Sequence, residues 1–176
     1  MFVKIAIVVV VIVAVVLLVA ATRPNTIRIQ RSVVIDTPAQ KVFAMVNDFH
    51  NWPRWAPQDR EDATMQRSFT GSANGAGAIS DWQSRGSAGA GRMSITVSVP
   101  YSRVVVETDF RKPFVAHNVN EFVFEPVGIG TKVTWTMTGQ NLFVMKVMCL
   151  FVNMDRVMGN HFESGLRNLK AASEAN

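Results

Sequence analysis

The stretch NDFHNWPRWAP, Asn47 to Pro57, sets Trp52 and Trp55 among polar residues and prolines, with Asp48, His50, Asp59, Glu61 and Asp62 around them. A histidine flanked by carboxylates has the composition of a metal site or an acid–base pair. No two of these residues have the spacing of a dedicated metal motif, so they read as solvated turn residues and no metal site is expected. Of the other histidines, His117 precedes a strand-like run and His161 lies one position from an apolar helical stripe. Either could face an interior pocket, and His161 is taken as the catalytic candidate. Cys149 is the only cysteine and lies in an apolar helical run. That describes a buried, inert thiol and excludes an intramolecular disulfide or a cysteine zinc site. GSANGAG (Gly71–Gly77) and GSAGAG (Gly86–Gly91) each join two strand-like runs instead of opening a helix, so they are hairpin loops and not phosphate cradles. With no nucleophile motif and no cofactor expected, whatever the chain does must come from the shape of its interior.

The elements that shape that interior follow from periodicity. Thr26–Ile35 alternates, with Ile27, Ile29, Arg31, Val33 and Ile35 on one face, and predicts a strand. Asp36 or Thr37 caps, and Pro38 opens, a helix to about Asp48 that buries Val42, Phe43, Val46 and Phe49. Six short alternating runs follow: Met65–Thr70, Ala78–Gln83, Arg92–Val99, Arg103–Phe110, Asn118–Glu125 and Lys132–Thr138. Consecutive strands with short connections imply an antiparallel meander. Beyond Gly139, apolar residues recur at steps of three and four from Phe143 to Leu169, which predicts one long amphipathic helix. The fold class is therefore α+β, a seven-stranded antiparallel curved sheet around a long C-terminal helix.

The N-terminus is a separate unit. Ile5–Ala21 is an unbroken apolar run of 17 residues, and Lys4 is the only charge before it. A 20-residue helix covers roughly 30 Å, the thickness of a bilayer core. The run is longer than the apolar region of a signal peptide, and Val19-Ala20-Ala21 is a mediocre cleavage site. Residues 1–22 are read as a transmembrane anchor, 23–26 as a linker and 27–174 as the folded domain. The chain is expected in a membrane with a single pass, the inner membrane if it is bacterial. Arg23, Arg28 and Arg31 against Lys4 lean the domain toward the cytoplasmic side. With Lys4 set aside, 17 basic residues stand against 13 acidic ones, a balance of +4, and the cations are scattered. No nucleic-acid footprint is expected from that pattern. A mildly basic surface beside anionic lipid headgroups is a sufficient account.

A sheet must bury one face against the helix. Alternation turns Met93, Ile95, Val97 and Val99 inward on one strand, and Val104, Val106, Thr108 and Phe110 on the next, leaving Glu107 and Asp109 to water. Phe122, Phe124, Val133, Trp135, Met137 and Trp82 point inward by the same rule. This is more surface than one helix covers, and the mouth of such a half-barrel is a usual ligand site. Trp82, Met93, Ile95, Val106, Phe110 and Phe122 are expected to contact a hydrophobic ligand. Phe124 and Trp135 join them from the sheet, and Met154, Met158 and Phe162 from the helix. Met137, Met145, Met148, Met154 and Met158 gather where helix and sheet should meet and suit irregular apolar contents. Gly159 and Gly165 leave room for something to approach. LFVMKVMCLFV, Leu142–Val152, is apolar on more than one side and too short to span a bilayer, so it would gate the pocket or rest on the membrane.

The succession RSVVIDTPAQKVFAMVNDFHNWPRWAP, FTGSANGAGAISDW, FVFEPVGIGTKVTWTMTG and a long final helix resembles the START-like, helix-grip superfamily. It is similar in particular to birch-pollen-allergen-like bacterial proteins labelled polyketide cyclase or SRPBCC, over Ile27 to Ala172. Its strongest signals are Phe49, Trp52, Trp55 and Pro57 as F-x-x-W-x-x-W-x-P, and Gly130–Trp135 as GTKVTW. The resemblance implies that two helices form a V closing one end of the half-barrel, with Trp52 and Trp55 as structural lids. It implies a binder of a hydrophobic small molecule or lipid, here tethered to the bilayer. The alternatives it leaves are a cyclase-like or hydrolase-like enzyme using the same pocket and a co-chaperone-like interaction module.

Overall fold

The alternating run Thr26–Ile35 folds as strand β1 over those residues in the computed structural model, which describes residues 2–86, 88–141 and 143–175. Strands β2 (Gln66–Gly71), β3 (Ala78–Gln83), β4 (Ala90–Val99), β5 (Arg103–Lys112), β6 (Ala116–Val127) and β7 (Gly130–Gln140) follow. They form one seven-stranded antiparallel sheet in the order β1-β7-β6-β5-β4-β3-β2. The register sets Gln140 opposite Thr26, Phe110 opposite Ala116, and Ala90 opposite Gln83. One end of the sheet, here called proximal, therefore carries the start of β1 and the tips of the β3–β4 and β5–β6 connections. A register shift between Ile95 and Val97 marks a bulge on β4, where the strand bends and its local twist increases.

Among the described residues, six helical elements accompany this sheet. Helix α1 (Phe2–Ala21) precedes it; α2 (Ala39–Asn47), a 3-10 helix (Phe49–Arg54) and α3 (Pro57–Glu61) connect β1 to β2; α4 (Phe143–Phe151) and α5 (Met154–Glu174) follow β7. Helix α5 lies across the concave face. The core between them is built on Ile29, Val46, Trp55, Val106, Phe122 and Leu166, each at most 2% exposed. This is the helix-grip arrangement, preceded by one helix that is long and apolar enough to cross a membrane.

Two local expectations change. Asp36 and Thr37 do not cap α2, whose first turn has no side-chain cap. Their side chains turn to the end of α5 instead: Asp36 accepts from Lys170 Nζ at 3.0 Å, and Thr37 Oγ1 donates to the Ser173 carbonyl at 3.4 Å. The C-terminal helix is also two helices. The chain breaks after Phe151, and Asn153 caps α5 by accepting the Arg156 N–H at 3.0 Å. The apolar period ran through this break because both helices carry apolar stripes, although they aim them at different surroundings.

The tryptophans of the opening motif finish α2. Helix ends leave carbonyls without partners. Trp52 Nε1 donates to the Val46 carbonyl and Trp55 Nε1 to the Met45 carbonyl, both at 2.9 Å, while Asn51 Nδ2 reaches the Ala44 carbonyl at 3.1 Å. Trp55 is fully buried, edge-on to Phe122 and to Trp135 at 6.0 Å. The 3-10 helix thus both terminates α2 and plugs the sheet with aromatic surface.

The exit of α1 is tied down. Asn141 donates its backbone N–H to the Asn25 carbonyl at 2.8 Å and its Nδ2 to the Pro24 carbonyl at 3.0 Å. Lys146 Nζ donates to Asn25 Oδ1 at 2.5 Å. Residues 24 and 25 are held by the end of β7 and by α4.

Candidate functional site

Between the concave face and α5 lies a cavity of about 540 Å3. Ligand sites commonly span about 300–1,000 Å3, whereas gaps in packed cores seldom exceed a water molecule. Its apolar wall comes from Trp82, Met93 and Phe110 on β3, β4 and β5, Trp135 and Met137 on β7, and Met158 and Phe162 on α5. Trp52 reaches it from the 3-10 helix. Trp135 lies flat on Phe162, ring centroids 4.0 Å apart and planes 4° from parallel, with Phe122 stacked behind it at 5.0 Å. Trp82 meets Phe110 edge-on at 5.3 Å and donates Nε1–H to the Ala88 carbonyl at 3.0 Å. The opposite residue on β4 must be glycine, because a Cβ on Gly91 would strike the Trp82 ring.

A short polar strip interrupts this wall. Trp135 Nε1 donates to Asn120 Oδ1 at 3.0 Å, and Asn120 Nδ2 donates to Thr108 Oγ1 at 3.1 Å. This chain fixes the Asn120 amide, and the Thr108 hydroxyl, which can donate as well as accept, lines the cavity. Asn118 lines it beside them, and His161 faces it from α5. Arg67, on β2, binds Asp59 with two N–H groups at 2.5 and 2.6 Å and Ser80 Oγ at 2.9 Å. The Arg67 and Asp59 side chains are only 9% and 4% exposed, so the pair brings a neutralised fork to the wall. Asp62, at the rim, accepts from the Ser84 hydroxyl and from Thr64 Oγ1 at 2.6 Å, and these bonds hold its carboxyl below the usual carboxylate range.

Of the residues expected at the ligand, Trp82, Met93, Phe110, Trp135, Met158 and Phe162 converge on this cavity. Ile95, Val106, Phe122 and Phe124 point to the same side of the sheet but are buried behind the lining. Met154 lines a separate open groove of about 520 Å3 with Arg23, Pro24, Ile27 and Phe151, and Cys149 is half-buried there. Met145 and Met148 lie on α4, away from the sheet–α5 contact. The space at Gly159 is taken by the Arg31 guanidinium, and that at Gly165 by Trp135 and Pro57, so chain atoms and not a guest approach the helix there. His50 and His117 pair with Asp48 and Asp109 on the exposed surface, at 2.8 and 2.7 Å. Among the described residues, no three His, Cys, Asp or Glu side chains converge as a metal ion requires.

The polar strip was the part missed. Asn118 and Asn120 share the parity of Phe122 and Phe124 on β6, so carrying the alternation two steps back places them inward. Arg67 is two residues from Met65 on the same face. The signal lies in this parity, which holds for polar side chains as it does for apolar ones.

The geometry agrees with sequence comparison. The family described as polyketide cyclase / dehydrase and lipid transport matches residues 26–174, and the chain belongs to it. No curated protein matches the chain in sequence. Solved structures share the fold at low identity. A Chromobacterium violaceum protein has a TM-score of 0.59 at 16% identity, with 88% of this chain and 100% of that one covered. The di-domain ARO/CYC BexL from the BE-7585A biosynthetic pathway has a TM-score of 0.64 at 16% identity, with 90% of this chain and 53% of that one covered. A Thermus thermophilus protein has a TM-score of 0.59 at 16% identity, with 84% and 97% covered.

Proposed function

We propose that this protein is a membrane-anchored binder that holds a hydrophobic small molecule or lipid between its sheet and α5. The observation that carries the reading is the 540 Å3 cavity, walled by aromatic and methionine side chains with one short polar strip. Such a wall suits a ligand with an extended apolar body and a hydrogen-bonding group. Trp135 and Phe162, held rigid by their mutual stacking, would present aromatic surface to that body. Thr108, Asn118 and Asn120 would receive the polar group. Tethering by α1 puts the pocket beside the phase in which such a ligand is dissolved.

A second reading has one specific support, His161 on the cavity wall. In a cyclase-like or hydrolase-like reaction it would take or give the proton at the ligand's polar group. Native mass spectrometry of the full chain released from lipid nanodiscs tests the binder. Wild type should carry a bound apolar mass, and Met158→Trp, which fills the cavity from α5, should lose it. A wild-type chain that emerges empty under conditions that keep it folded would count against binding. Turnover of a bound compound that ends in His161→Ala, with binding retained, would move the assignment to the enzyme.

A further inference from the structure

Helix α4 is turned inside out for a helix in water. Its one charged residue, Lys146, is 6% exposed and bonded to Asn25 Oδ1, while Phe143, Val144, Met148 and Phe151 face outward, Phe151 at 74%. A helix on a soluble domain hides its apolar stripe and hydrates its lysine. The reverse arrangement indicates that the medium outside α4 is apolar.

The position of α4 says which medium. It packs against α1, whose Ala20 is fully buried near the exit, and its Lys146 is bonded to Asn25, just past the end of α1. A helix held beside the last turns of a membrane-crossing helix lies at the depth where headgroups meet acyl chains. The register of the sheet brings a second apolar projection to this proximal end. Phe114 and Val115, at the tip between β5 and β6, are 75% and 80% exposed. Exposed Arg23, Arg85 and Lys112 occupy the same end, where anionic headgroups would meet them. The cavity reaches this end as well, since Gly86, Ala88 and Pro113 belong to its lining.

We propose that the proximal end docks on the bilayer through α4 and the Phe114-Val115 tip, so that the cavity opens onto the lipid surface. The bilayer extends the contact already made by α1, and the inference rests on the anchored reading of that helix. A ligand could then move between leaflet and pocket without crossing water.

The test uses the full chain with Cys149→Ser and one new cysteine at a time, Phe114→Cys, Phe151→Cys or Ile129→Cys, labelled with a nitrobenzoxadiazole dye. Ile129 is 90% exposed at the opposite end of the sheet. All three side chains are exposed, so the substitutions leave the core intact. In nanodiscs of phosphatidylethanolamine and phosphatidylglycerol, dyes at 114 and 151 should shift to the blue and resist dithionite, while the dye at 129 should be reduced as fast as free dye. Equal reduction at all three positions would overturn the docking. Alkaline carbonate extraction reads the anchor separately. Chain retained in the membrane with all dyes reduced keeps the anchor and rejects docking. Chain released by carbonate rejects the anchor, and with it the docking that rests on it.

Discussion

Trp135 on β7 and Phe162 on α5 stack at 4.0 Å, and this contact joins the sheet to the helix at the wall of the cavity. It is a structural clamp between two residues that also line the cavity. Truncating Phe162 to alanine removes the clamp and enlarges an existing void. Such aromatic truncations cost about 3–5 kcal/mol. Urea unfolding should place Phe162→Ala in that range, and Phe162→Leu well below it. A loss under about 1 kcal/mol would mean that the wall collapses easily and that the cavity is not rigid.

The Arg67–Asp59 fork should behave as a buried pair. Removing one partner strands a charge in a site from which water is largely excluded, at a cost of about 3–5 kcal/mol. Arg67→Met and Asp59→Leu are each expected to destabilise strongly, whereas the double variant should recover most of the loss, since apolar replacement of a whole pair is often neutral. A denaturation cycle on the four proteins checks this. Additive losses would show that the two side chains act independently.

How much of this was readable beforehand depended on what carried the signal. Period-two alternation located all seven strands to within a few residues and put Trp82, Met93 and Phe110 on the concave face, because one face of an antiparallel sheet must be apolar. It did not separate lining from core: Val106 and Phe110 share a parity, yet Val106 is sealed behind the wall while Phe110 reaches the cavity. The bulge between Ile95 and Val97 also breaks the parity: Ser98 falls opposite the buried Val104 and Val99 is 45% exposed, so the inward set expected on that strand ends at Ile95. The break at Asn153 escaped notice because the three-and-four period continues across it. The inverted burial of Lys146 could not be read at all without knowing where α1 lies.

Gly159 offers a test of the α5–β1 contact. A helix-interior glycine replaced by alanine usually gains about 1 kcal/mol. Here the added methyl would meet the Arg31 guanidinium, which donates to Asp155 Oδ2 at 3.0 Å and to Glu163 Oε1 at 2.9 Å. Gly159→Ala is therefore expected to lower the melting temperature, and to raise it when Arg31 is also alanine. A stabilising single variant would show that Arg31 moves aside freely.

Acid should weaken the fold. Asp62, Asp81, Asp155 and Glu174 are all held below the ordinary carboxylate range, chiefly by hydrogen bonds from Ser84, Arg92, Arg31 and the Asp36 backbone N–H respectively. A carboxyl group whose pKa is lower when folded contributes stability that is complete above its unfolded value, about 4. That contribution is lost as pH falls through the folded value. Stability measured by urea should be level from neutrality to about pH 5 and decline below about pH 4, and Asp155→Asn should make the decline shallower. A chain that gains stability on acidification would refute the assignment of these bonds.

The central claim, a ligand between sheet and helix, is reached most directly by photo-crosslinking of the full chain in nanodiscs doped with a diazirine-bearing long-chain lipid. Peptide mapping should find adducts inside the protein, on Met93, Phe110, Met137 or Met158, and these should vanish in Met158→Trp while adducts on α1 persist. Adducts confined to α1 and α4, with none on the concave face, would contradict the account.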